Sequence, residues 1–270
     1  MNLLLAIGGQ EIQIRAPGPV MDLVAQRYGP FAKPSSRPTD TVPIVVEVTG
    51  HARTFSSIIE RSPRVRVSAC SSHELTITGA ISARYDLASR SGFIEHARNL
   101  GDIDTMLRLV LSVTLPLTGA LLIHGAALNN PRFGAMALCG DSGAGKSTAA
   151  AAFGAACDEL IVLRPENETI NLYATPYWRG VPLCAPCQGV VCLLRGGEPA
   201  FAHQHGAGAL RHLARHMVRF VSIEAVERAI LRLLGLVCKH TPVTTARCPD
   251  GDAYIPYLTE KLAQPLSAAS

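Results

Sequence analysis

Nine consecutive residues of this chain carry chemistry that can be read from type and spacing alone. Gly140-Asp141-Ser142-Gly143-Ala144-Gly145-Lys146-Ser147-Thr148 fits the phosphate-loop pattern G-x-x-x-x-G-K-[ST] without a mismatch. Glycines in such a loop let successive backbone N–H groups turn inward around the phosphates of a nucleotide. Lys146 would set a point charge on the β- and γ-phosphates, and the Ser147 hydroxyl would ligate Mg²⁺, so the expected cofactors are ATP and Mg²⁺. A glycine-rich turn matching by accident is roughly a one-in-a-hundred event at average glycine usage. The chain has only four lysines (33, 146, 239 and 261), which makes an accidental lysine in this slot rarer still.

Other residues could serve the same chemistry. Asp158-Glu159 follows the loop by about one helix, where a P-loop enzyme needs acid groups to hold a metal or take a proton from an attacking hydroxyl. A strand cap or solvated turn would use the same pair. His124 falls on a strand expected beside the P-loop strand, where a satisfied core histidine and a site histidine are both open readings. Cys184-Ala-Pro-Cys187 lacks the second ligand pair that a zinc site needs and the strand–helix setting of a redox pair, so it reads as packing. His203, His205, His212 and His216, interleaved with Arg211, Arg215 and Arg219, read as a solvated basic helix face; a lesser reading puts one arginine on a phosphate or an acidic peptide.

The elements that must position these residues follow from periodicity and breakers. Gly134–Cys139 reads as a short buried strand entering the loop, and the alanine-rich Thr148–Ala156 as the helix leaving it. Phosphates would then sit at a helix N-terminus, where unpaired N–H groups and the macrodipole favour anions. Ala120–Leu128 is a strand ending in the turn Asn129–Arg132, and Leu160–Leu163, Glu168–Tyr173, Gly189–Leu194 and Val243–Arg247 are further strands. Leu210–Val221 and Ile223–Cys238 have helical amphipathic spacing. Upstream, Leu3–Ala6 and Glu11–Arg15 flank Gly8-Gly9 as a hairpin, and Val20–Tyr28 is a helix followed by a loop from Pro30 to Pro43. Ile44–Val48, Arg64–Ala69, Glu74–Ile77 and Ala83–Leu87 are strands, and Ile103–Leu115 is a helix ending near Pro116. The expected organisation is an α/β unit over 1–116 and a P-loop unit over 117–270.

Composition narrows the class. The chain has 270 residues, 48% of them hydrophobic and 17% charged, as expected of a packed protein and not of a disordered one. Residues 1–116 carry 12 basic and 10 acidic groups and residues 117–270 carry 13 and 11, which leaves +2 on each part and no basic face for nucleic acid. The longest charge-free apolar run, Leu109–Ile123, contains Pro116 and Gly119 and is too short for a straight membrane span. No export signal is read at the start, and eight cysteines without framework spacing fit reduced thiols, so the expectation is a cytoplasmic protein with no membrane or nucleic-acid partner.

Taken together, Leu121–Ala127, the loop with its strand from Leu138, Cys157–Leu163, Tyr173–Gly180 and the helix-plus-strand ending Val226–Thr245 resemble the HPr serine kinase/phosphorylase family and its relatives in the phosphoenolpyruvate-carboxykinase-like P-loop group. The resemblance covers about residues 117–248. It implies a mixed β-sheet P-loop kinase core with a smaller N-terminal α/β unit. It also implies that Asp158 is the base toward a serine hydroxyl, that Glu159 supports Mg²⁺ and that His124 lies near the transferred phosphate. Asp158-Glu159-Leu160 stands where HPr kinases carry two aspartates and an arginine, and their lysine-containing loop and C-terminal signature are missing. The short form is more similar to stand-alone kinases that phosphorylate ribosomally made peptides, lasso-peptide precursors included. The implied activity is serine phosphorylation of a peptide or small protein, with a hint of a homo-oligomer. A regulatory nucleotide-binding module, a small-molecule kinase or a nucleoside triphosphatase remain the alternatives.

Overall fold

The computed structural model describes residues 1–33, 42–49, 55–56, 65–69, 71, 73–177 and 180–264. Part of the expected Pro30–Pro43 loop, Arg64 and the Trp178-Arg179 pair lie outside the described residues. The chain divides into one unit of Met1–Leu117 with Arg219–Glu227 and a second of Thr118–Val218 with Arg228–Ser270. Both are α/β, each built on a seven-stranded sheet that mixes parallel and antiparallel pairs.

In the first unit, β1 (Asn2–Ile7) and β2 (Gln10–Arg15) form the expected hairpin. Its two-residue turn, Gly8-Gly9, has φ of 57° and 79°, the left-handed pair that matches the strands' own twist. Helix α1 (Gly18–Tyr28) follows, then β3 (Ile44–Val48), β4 (Val65–Ala69), β5 (Glu74–Gly79), β6 (Ser82–Asp86) and β7 (Ser91–Glu95), of which β7 has no counterpart in the sequence reading. The order is β1-β2-β3-β7-β6-β5-β4. Helix α2 (Leu100–Leu117) is buried along most of its length. It starts on a reciprocal cap: the Asp102 N–H donates to Asn99 Oδ1, and the Asp102 carboxylate accepts from the Arg98 N–H.

The second unit contains β8 (Leu121–Asn130), β9 (Gly134–Gly140), α3 (Lys146–Phe153), β10 (Cys157–Glu166), β11 (Thr169–Ala174), β12 (Cys184–Leu194) and β13 (Ala200–Gln204). It continues with α4 (Gly206–Ala214), α5 (Glu224–His240, from Arg228 on), β14 (Val243–Arg247) and α6 (Tyr254–Leu262). The sheet order is β11-β10-β8-β9-β12-β14-β13. β9, β12 and β14 are parallel, and the flanking pairs are antiparallel. Ala149 and Ala150 bring α3 close against Ala126 and Leu138, and Leu258 and Leu262 of α6 close the same core. Small side chains on α3 permit that approach, which is why an alanine run stands there.

Three sequence expectations are corrected. β10 begins at Cys157, so Asp158-Glu159 lies inside the strand and not ahead of it; its backbone pairs with Ala126 and Gly125 of β8. The α3 helix stops at Phe153 because Gly154 takes the left-handed conformation, φ 68°, that terminates helices. The helix expected over Leu210–Val221 ends at Ala214, and the chain beyond it turns to pair with β8.

Candidate active site

The site is built at the end of β9. Gly140, Gly143 and Gly145 have φ of 150°, 74° and 93°, which side-chain-bearing residues rarely adopt. A Cβ on Gly140 would come 2.8 Å from the Leu193 carbonyl oxygen, and one on Gly145 would come 2.7 Å from the Tyr254 hydroxyl. Leu193 and Tyr254 therefore exclude any side chain at positions 140 and 145. Within the loop, the Lys146 ammonium donates to the carbonyls of Gly140 (2.6 Å) and Asp141 (3.0 Å). Lys146 is 9% exposed. Burial, first among the causes, holds its ammonium below the ordinary lysine value, while the Cys139 thiol and the Asp158 and Asp141 carboxylates act in the opposite direction. A buried cation bonded only to dipoles is an anion receptor in waiting. These residues fit a polyphosphate. Ser147 and Thr148 are exposed in the first turn of α3.

The expected acid residues lie on the β10 side of the loop. Cys157 Sγ donates to the Leu160 carbonyl at 3.3 Å, a reach of three residues that a strand rising about 3.3 Å per residue does not allow. The strand therefore bends at Asp158–Glu159. Thr175 Oγ1 donates to the same Leu160 carbonyl at 2.6 Å and fixes the bend. Asp158 acts electrostatically on both Lys146 and His124, and Glu159 acts on His124. Both carboxylates are only partly buried, as a proton acceptor or a Mg²⁺ ligand must be to meet a substrate. Among the described residues, no group of three or more His, Cys, Asp and Glu side chains stands ready to hold a metal ion. Mg²⁺ at such a site takes one or two carboxylates together with the substrate's phosphates, and Ser147, Asp158 and Glu159 are of the kind it needs.

His124 pairs in register with Leu160, and its neighbour Gly125 with Cys139, so it stands level with Gly140, where the loop leaves the sheet. The residue is exposed, and partial desolvation of its ring first, and then the Lys146 ammonium, lower its imidazole, while Glu159 and Asp158 raise it. The structure thus brings Lys146, Asp158 and His124 to one end of one sheet.

Several residues that the sequence reading left elsewhere join them. His216 is 8% exposed and lies on no helix; its carbonyl accepts the His124 N–H at 2.8 Å. Burial, the leading cause, lowers its imidazole, which Asp141 raises and Lys146, Arg215 and His124 lower further. Arg215 reaches the Asp141 carboxylate at 3.5 Å, an exposed pair worth under about 1 kcal/mol. Tyr254, at the start of α6, donates to the Gly145 carbonyl at 2.9 Å. Arg195, just past β12, has its guanidinium 3.4 Å from where a Cβ on Gly143 would lie. The 4-residue spacing of Tyr254, Leu258 and Leu262, with Pro256 in the first turn, was a legible signal for α6.

Cys184 and Cys187 do not form a redox pair. Cys184 is exposed and Cys187 buried three residues along β12, too far apart along a strand for a disulfide. Burial pushes the Cys187 thiol up to about 11 and the Cys192 thiol up to about 12, so both stay protonated.

No protein-family model matches the chain, and no curated protein matches it. Among solved structures, the chain is similar to the Hpr(Ser) kinase/phosphatase from Coxiella burnetii at 14% identity and a TM-score of 0.30, over 52% of this chain and 92% of that one. A score that low leaves the site to be read from its own residues. No helix among the described residues is long and apolar enough to cross a membrane.

Proposed function

We propose that the second unit is an ATP- and Mg²⁺-dependent phosphotransferase that phosphorylates a serine hydroxyl on a peptide or small protein. The observation that carries the reading is the buried Lys146 ammonium, bonded only to loop carbonyls and flanked by Asp158 and His124. In this reading the N–H groups of the loop and of the first turn of α3 bind the triphosphate, and Lys146 leaves the Gly140 and Asp141 carbonyls for the β- and γ-oxygens. Asp158 accepts the proton of the incoming hydroxyl. His124 hydrogen-bonds the transferring phosphoryl or the acceptor. Glu159 and Ser147 would hold Mg²⁺, which when bound neutralises charge on the phosphates. Most of the acceleration is positioning and electrostatics. The choice of serine, and of a peptide acceptor, rests on the sequence resemblance alone.

The test is incubation with γ-labelled ATP, Mg²⁺ and candidate serine-bearing peptides, with Asp158→Asn alongside. Label on peptide serine, reduced at least about 100-fold in the variant while ATP binding is kept, is the expected outcome. Label appearing only in water or on a metabolite would turn the reading into a triphosphatase or small-molecule kinase. Full turnover by Asp158→Asn would remove the role given to that carboxylate.

A further inference from the structure

β9 covers the edge of β8 only from Gly125 to Asn130, because at Gly140 it leaves the sheet to become the loop. The next stretch of β8 on that side would be left with bare N–H and C=O groups. Residues 216–218 take the vacated place. The His124 N–H donates to His216 O at 2.8 Å, Ile123 bridges Met217, and the Val218 N–H donates to Leu122 O at 3.1 Å. This short segment continues the line of β9 beyond the point where the phosphate loop departs. Whatever precedes it is therefore delivered to the loop, and Arg215 precedes it.

We propose that Arg215 is a γ-phosphate-binding arginine that the 216–218 tether holds beside the loop; the inference rests on the phosphotransferase reading above. Three observations converge on it. The guanidinium already reaches the loop, 3.5 Å from the Asp141 carboxylate, and both partners are more than half exposed (58% and 52%), so the contact is easily exchanged. Arg215 immediately precedes the segment that pairs with β8 through His124, and β8 in turn pairs with β10, which carries Asp158. Arg195 approaches the loop from β12, on the far side of β9. Finally, the tether's own His216 is buried, and its carbonyl is bonded to the His124 N–H, which fixes the position of the neighbouring Cα. When a triphosphate enters, its terminal phosphate offers a forked guanidinium two or three charge-assisted acceptors in place of one exposed carboxylate. No bond forms or breaks in this exchange; the arginine trades one anionic partner for another and neutralises charge on the phosphoryl to be transferred.

The experiment is isothermal titration of the full chain with AMPPNP and with ADP, each with Mg²⁺, on the unaltered protein, Arg215→Ala and Arg215→Lys. Arg215→Ala is expected to weaken AMPPNP about 10- to 100-fold and ADP less than about threefold, with Arg215→Lys recovering part of the loss. A purely structural role would weaken both nucleotides together, and that result overturns the inference, as does an unchanged AMPPNP affinity. If the unaltered protein binds neither nucleotide, the phosphotransferase reading itself falls and takes the arginine with it. Binding of both nucleotides with no change in Arg215→Ala removes the arginine alone.

Discussion

Two glycines flank α3, and replacing each by alanine separates the loop's geometry from the helix's stability. Gly145 (φ 93°) begins the helix and Gly154 (φ 68°) ends it, so both substitutions carry the left-handed penalty of about 1–2 kcal/mol. Around Gly154 there is open space, and the penalty is the whole cost. At Gly145 the new methyl would lie 2.7 Å from the Tyr254 hydroxyl and 2.8 Å from its Cζ, so the ring must withdraw. Withdrawal breaks the 2.9 Å bond from the hydroxyl to Gly145 O, worth about 0.5–1.5 kcal/mol. That carbonyl keeps its bond from the Ala149 N–H, so no buried acceptor is left bare. The sum is about 1.5–3.5 kcal/mol for Gly145→Ala against about 1–2 kcal/mol for Gly154→Ala. Nucleotide binding should divide them more sharply. Relaxing the left-handed strain at residue 145 re-aims the N–H groups of Lys146 and Ser147, and each lost bond to a charged phosphate costs about 1.5–3 kcal/mol, or roughly 10- to 100-fold. Urea unfolding together with fluorescent-nucleotide titration measures both quantities. If Gly154→Ala weakened binding as much as Gly145→Ala, the loss would come from helix stability, and the cradle argument would be refuted.

Other perturbations have definite outcomes. Lys146→Met should weaken ATP by at least about 100-fold yet change the unfolding midpoint little, because the lost carbonyl bonds are offset by no longer burying an ammonium; both are read from one titration and one urea melt. Burial holds the His216 imidazole below its ordinary value near 6.5, so the unfolded chain takes up a proton there that the folded chain does not. Its contribution to stability is present above that value and is lost as pH falls below it. Unfolding midpoints taken from pH 7.5 to 5.5 should therefore decline, and His216→Gln should flatten the decline; an equal slope in the variant would show that Asp141, beside the ring, compensates for its burial. Brief alkylation with mass mapping should mark Cys184 first among the described cysteines. Cys139, Cys157, Cys187 and Cys192 should react only on unfolding, since burial both hides those thiols and raises them, to about 11 for Cys157 and Cys187.

What could be read along the chain was what short stretches decide for themselves. Gly8-Gly9 specifies its hairpin because only left-handed residues close a two-residue turn, and the 140–148 loop carries its own strand, turn and helix start. Asp158 was found by its distance from the loop, but its place inside β10 was not. The bend that lets an acid pair begin a strand is fixed by Cys157 and by Thr175, just past the following strand. β13 escaped notice because Ala200–Gln204 has no fully buried residue and no alternating apolar face.

His216 shows why the rest stayed hidden. Its spacing from His212 is helical, and the basic residues around it suit a solvated helix face. Yet α4 ends two residues earlier, because β8 has unsatisfied backbone groups exactly where β9 departs. A strand that leaves its sheet to wrap a phosphate necessarily strips part of its neighbour's edge. Some other segment must repair that edge, and the repair sets its flanking side chains beside the phosphates whatever their local propensity. The residues to examine in such a loop's surroundings are thus the ones that repair the edge: here Arg215 and His216, more than 60 positions from the loop in sequence and one hydrogen bond from its neighbour in space.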